Sequence, residues 1–179
     1  MSDTLRRVQD LARNSQVRIS DHGYNELAAD ALLATEIVAG LDRAIMVEDY
    51  PTYPKGPCVL VLQHDPAGAP IHALWGIPAG ATEPRGVDHR LSSRSSEMGP
   101  DFSAETMMKT KRQRKLVHEG QYIAEVEVEL IESDDAWAPY LSLEEARKLD
   151  DVRSALRRGD LASASKLGRV YRLIPVNAA

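Results

Sequence analysis

The chain changes character at Met107-Met108. Before it runs a polar, Gly/Ser-rich stretch with no periodicity, which cannot bury much surface. After it stands Lys109-Thr110-Lys111-Arg112-Gln113-Arg114-Lys115, and from there to Ala179 the chain has the layout of a fresh, complete small protein. Such a break limits the fold to two packed units joined by an irregular piece. We divide the chain into residues 1–84, an irregular linker 85–107 and a second unit 108–179. A length of 179 residues suits one ordinary domain or two small ones and does not decide between them.

Charge separates the two units. Residues 1–84 carry six Lys/Arg against eleven Asp/Glu, while residues 85–179 carry sixteen of each. The acidic first unit argues against simple electrostatic attraction to nucleic acid. No apolar run approaches membrane-spanning length, and the opening Met1-Ser2-Asp3-Thr4-Leu5-Arg6 lacks signal-peptide architecture. A cytoplasmic protein without disulfides, membrane association, cofactor or metal is expected. The single Cys58, inside the strand-like Pro57-Cys58-Val59-Leu60-Val61-Leu62, reads as a small buried hydrophobe.

In the first unit, Leu5, Val8, Leu11 and Ala12 recur at helical spacing. Val17 to Ser20 reads as a brief strand, and Ser20 or Asp21 as the cap of a helix through Leu27. A second helix, from Ala34 to Leu41, is expected to start at Thr35 and to end near Gly40. Three strands come next, at 44–48, 58–63 and 71–77, separated by Pro/Gly-rich turns. The class is α+β, with N-terminal helices packed on an antiparallel meander.

Ile19-Ser20-Asp21-His22, the Glu48-Asp49-Tyr50-Pro51 turn, Gly56 to Leu62 and Pro70-Ile71-His72-Ala73-Leu74-Trp75 together resemble the bacterial family known as domain of unknown function 4258. The resemblance runs from residue 16 to about 84. It implies a compact ribonuclease-type toxin of RelE/barnase-like architecture, encoded beside a small second gene in the manner of toxin–antitoxin pairs. RNA or the ribosome is the partner so implied.

Cleavage of RNA through its 2′-hydroxyl needs a base, an acid and a cation for the developing phosphorane charge. His22 and His72 titrate near neutrality and are the candidate base and acid, with Asp21, Glu26 or Glu48 as tuning partners. Each also has a plainer reading: His22 as a capping or surface residue of a first helical turn, His72 as a residue that hydrogen-bonds at a sheet edge. Arg43, alongside Arg18, is the candidate cation, and its sequence position does not place it clearly. The toxin architecture so implied would bring an arginine on one further strand after Pro84. The polar stretch from Arg85 to Pro100 shows no strand pattern, so that last strand is expected to be missing.

The genetic code offers a reason. Met has one codon, so Met98-Gly99 contains TGG one base downstream, and Met107-Met108 contains the stop TGA in that same frame. The remaining codons can be chosen so that the shifted frame encodes an apolar strand, an arginine and a basic tail. Read this way, residues 86–106 are a mistranslated domain end and the chain is a fusion of two neighbouring genes. The alternative is an ordinary interdomain linker.

In the second unit, Lys109, Lys111, Arg112, Arg114 and Lys115 form either a solvated arm or a nucleic-acid contact. DNA binding is not expected, since no helix-turn-helix pattern accompanies them. Tyr122 to Ile131 alternates as a half-buried strand, Ser142-Leu143-Glu144-Glu145 opens a helix, Asp160 opens another, and 169–176 closes as a strand. This strand-helix-helix-strand unit resembles the small proteins encoded directly after such toxins, on Tyr140 to Ala146 and Leu149 to Arg153. The resemblance implies an antitoxin-like partner, with the halves contacting each other within or between chains. The leading expectation is thus a ribonuclease-like toxin fused to its inhibitor, inactive or self-neutralised. The other is a non-catalytic protein of two binding modules with structural histidines.

Overall fold

The computed structural model describes residues 2–77, 85–88, 109–132 and 139–175. The chain folds as α1 (Asp3–Arg13), β1 (Arg18–Ser20), α2 (Asp21–Ala29), α3 (Ala34–Gly40), β2 (Ile45–Tyr50), β3 (Cys58–His64), β4 (Pro70–Gly76), β5 (Arg85–Asp88), β6 (Lys109–Glu119), β7 (Tyr122–Glu132), β8 (Tyr140–Ser142), α4 (Leu143–Arg157), α5 (Leu161–Leu167) and β9 (Arg169–Arg172). The class is α+β, with helices set against a largely antiparallel sheet.

Local chemistry explains the helix starts. Ser2 accepts the Leu5 N–H at 3.1 Å, and Ser20 accepts the Gly23 N–H at 2.9 Å. Ser142 and Asp160 do the same for Glu145 and Ser163, each at 3.1 Å. Each side chain satisfies one of the amide donors that a helix leaves open at its first turn. α3 differs. Its N-cap is Leu33, not Thr35, and Leu33 has no side-chain acceptor to offer.

Strand order is β2-β3-β4-β5-β1-β8-β7-β6, with β9 added to β7 beside β8. Residues from both sides of the seam therefore share one sheet, joined where β1 pairs antiparallel with β8 (Ile19 opposite Leu141). They also share one core: Leu27, Ile37, Val59 and Trp75 from the first segment cluster with Val126, Leu130, Leu149 and Val152 from the second. α1 and α3 lie on β3, α2 on β1 and β5, and α4 on β1 and β6–β8.

The strand expected to be missing is present in short form. β5 pairs antiparallel with β4 and parallel with β1, placing Gly86 between Trp75 and Ile19. Four residues held on both sides by backbone hydrogen bonds need no alternating side-chain pattern, and so leave no trace of one in the sequence. Residues 89–107 of the expected linker, including the gene-boundary reading, lie outside the described residues.

Lys109 to Lys115 is no terminal arm but the first half of β6, paired residue for residue with β7 from Lys109–Glu132 to Glu119–Tyr122. A two-residue turn joins them, with Gly120 in the left-handed region at φ 57°. The opposite register explains the composition. Arg112 bonds Glu129 at 3.3 Å and lies 3.8 Å from Glu127, while Arg114 bonds Glu125 at 2.9 Å. The acidic face of β7 is thus matched by the basic face of β6.

Candidate functional site

Strand alternation decides which sequence-derived site residues meet. On β4, Ile71, Ala73 and Trp75 point into the core beneath the helices, so His72 points to the opposite face of the sheet, where it is exposed. His22 is the second residue of α2, on the helix-bearing side, and is also exposed. Arg43 closes the short 3-10 turn Leu41–Arg43 between α3 and β2 and is exposed. No hydrogen bond or ion pair among the described residues joins any two of the three. On the outer face, Tyr50 sits above its ordinary pKa, chiefly through its hydrogen bond with Glu48. Cys58 is buried, and its thiol is likewise pushed up by burial and then by the Asp49 charge, the reverse of an activated nucleophile.

The dense chemistry lies instead at the junction of the two segments, one residue from His22. Asp21 opens α2 and forms an ion pair with Lys115 of β6 at 2.7 Å, the lysine side chain being only 9% exposed. The same ammonium donates to Asn25 Oδ1 at 2.7 Å and lies 5.6 Å from the centroid of the Tyr24 ring. Lys115 alternates with Val117 on the core-facing side of β6, which carries its stem inward and delivers its charge to α2. Such a desolvated cation is tolerated only with full partners, and Asp21, Asn25 and Tyr24 supply them.

A second knot lies deeper. Asp150 on α4, 3% exposed, accepts the Tyr24 hydroxyl at 3.2 Å, and both the N–H and the Oγ of Thr35 at 2.9 Å. Burial, and then the negative charge of Asp150, push the Tyr24 phenol well above its ordinary value, while Arg153 pulls the other way. The end of α2 is held as well. Arg153 donates to the Ala28 carbonyl at 3.3 Å and Arg157 to the Ala31 carbonyl at 2.9 Å, each also 3.1 Å from Glu119. Cations at the carboxyl end of a helix satisfy its open carbonyls and complement its dipole.

Of the basic residues read as a nucleic-acid contact, Lys115 is thus buried in the junction, and Arg112 and Arg114 are engaged by glutamates across the strand. Lys109 and Lys111 are exposed near the sheet edge. The sequence reading carried Asp150 and Arg153 only as part of a family-like pattern and gave neither them nor Arg157 and Glu119 any role at a junction. A signal was present: Asp150, Arg153 and Arg157 recur three and four residues apart and so share one helical face, beside the stripe of Leu149, Val152 and Leu156.

Residues 19–82 match the model of a family described as Domain of unknown function (DUF4258), roughly a third of the chain. Neither the curated proteins nor the solved structures include a match to the chain. Among the described residues, no helix is long and apolar enough to cross a membrane.

Proposed function

We propose that the chain is a toxin–antitoxin-type fusion, in which residues 109–175 neutralise a ribonuclease-like first segment acting on RNA or the ribosome in the cytoplasm. The observation that carries this reading is the burial of Lys115 against Asp21 and Asn25, directly beside His22. A cation from the second segment occupies the acidic ground on which the candidate histidine stands. In this reading the chain is self-neutralised: its chemistry, centred on His22, is silent while Lys115 is seated. His72 faces the other side of the sheet and takes no part with His22 in a shared acid–base pair.

The test uses the full chain. Expression of the unaltered protein leaves bacterial growth unaffected, while Lys115→Glu, which sets a second carboxylate against Asp21, loosens the second segment and slows growth with accumulation of cleaved RNA. Adding His22→Ala to that variant restores growth, with far-ultraviolet circular dichroism confirming that the fold is unchanged. Growth unaffected by the loosened variant, with the second segment shown to be displaced, overturns the reading.

The outcome would then favour a non-catalytic protein of two binding modules. Two observations support that second reading: His22 and His72 stand apart, and the first unit carries eleven acidic against six basic residues.

A further inference from the structure

The contacts across the seam define an interaction surface, and its chemistry names its partner. On the first segment the surface consists of the edge of β1, the Asp21–Tyr24–Asn25 face of α2, the carbonyls of Ala28 and Ala31, and the start of α3 at Thr35. Without β8, β1 would end the first segment's sheet with its ladder groups open, a template for strand addition. The second segment answers each feature: β8 for the edge, Lys115 for the acid, Asp150 for the Thr35 and Tyr24 donors, and Arg153 and Arg157 for the carbonyls. The fit is apolar at its centre, where Ile19 and Leu141 are fully buried, and charge-complementary around it, as a specific protein interface is.

Covalent attachment does not dictate which copy supplies the second segment. Twenty residues, 89–108, connect β5 to β6. A chain of that length reaches up to about 66–72 Å, whereas the four strand steps from β5 to β6 span only about 19 Å. We propose that segment 109–175 is a transferable partner, and that the β1 edge and α2–α3 surface holding it in one chain accept the same segment from a second copy. Attachment then sets only the local concentration of the partner, and the surface chemistry sets its identity. This goes beyond the proposed inhibition, because it holds whether or not the first segment has any chemistry to inhibit.

The experiment begins from the full chain, carrying a protease site inserted between Ser95 and Ser96. Unlabelled and isotopically heavy preparations are folded, cleaved, mixed and read by native mass spectrometry. The expected result is that cleavage leaves the two pieces associated, and that hybrids of one light and one heavy piece become as abundant as the parental pairs. Heavy protein carrying Asp150→Ala contributes its second piece to hybrids more than about a hundredfold less when the two second pieces compete, because Tyr24 and Thr35 lose the acceptor of three hydrogen bonds. Pieces that separate on cleavage overturn the proposal. So do parental pairs that never hybridise, even after joint dilution from denaturant.

Discussion

Asp150 of α4 caps α3 through Thr35, accepting its N–H and its hydroxyl at 2.9 Å each. The helix cannot cap itself: its own N-cap, Leu33, carries no acceptor, and Glu36 reaches back to the Leu33 N–H only at 3.4 Å. A seven-residue helix with an unsatisfied first turn is marginal in isolation. The stability of α3 therefore depends on a residue 115 positions away, beyond the seam.

Asp150→Ala leaves the buried Tyr24 hydroxyl and two half-buried donors of Thr35 without an acceptor and is expected to cost about 3–4 kcal/mol. Asp150→Asn keeps acceptor capacity without the charge and costs about half as much. Urea unfolding measures both. Equal losses for Ala and Asn would show that packing, not hydrogen bonding, is what Asp150 contributes.

Lys115 offers a cleaner separation of charge from stem. Lys115→Met retains the apolar stem against Tyr24 but removes the ammonium, leaving Asp21 and Asn25 facing each other without a cation. A loss of about 2–3 kcal/mol is expected, because breaking a buried pair strands the remaining charge. Asp21→Asn in the same chain recovers part of it, so a double-mutant cycle gives a coupling between the two positions. Additive losses would mean that the 2.7 Å pair contributes nothing of its own.

These contacts also show what the sequence conceals. α1, α2, β3, β4, β7, α4 and α5 are legible because each announces itself locally, through a cap residue or an apolar period, and the structure places all seven near their expected bounds. β6 was not legible for a physical reason: its Lys/Arg run has no apolar alternation, and its partner is the alternating glutamate face of β7. Arg112 and Arg114, spaced by two, answer Glu129 and Glu125 across the hairpin, a charge pattern rather than a hydropathy pattern. The junction was less legible still. Each segment alone presents Asp21, Tyr24 and Thr35, or Lys115 and Asp150, as ordinary polar residues of a surface, and only long-range pairing makes them a buried set.

Tyr24 gives a pH signature of the junction. Its folded pKa lies above the unfolded value of 10.0, because burial and the Asp150 charge favour the neutral phenol. The stabilisation is therefore fully present below pH 10 and is lost as pH rises beyond it, once the unfolded chain ionises first. Tyr24→Phe has no such proton to lose. The unaltered chain is expected to lose stability more steeply above pH 10 than Tyr24→Phe, and the phenolate absorbance by which the two proteins differ appears only as the unaltered chain unfolds. Parallel alkaline slopes would rule out Tyr24 as the source.

Gly168, between α5 and β9, is held by proximity rather than by conformational freedom. Its backbone is extended, with φ at −167°, a geometry open to any residue. The constraint is space: a methyl at this position would come within 2.6 Å of the Glu125 carbonyl oxygen and 3.0 Å of Val126 Cγ2. Both neighbours belong to β7, so the clash falls on the strand that pairs Glu125 with Arg169. Backbone cannot swing aside as a flexible side chain can, so Gly168→Ala must lever β9 from β7 at a cost of about 1–3 kcal/mol. Hydrogen exchange locates the effect: the amides shared by 122–125 and 169–172 lose protection, while those pairing β6 with β7 keep theirs. Unchanged protection along β9 would show that the α5–β9 connection yields without strain.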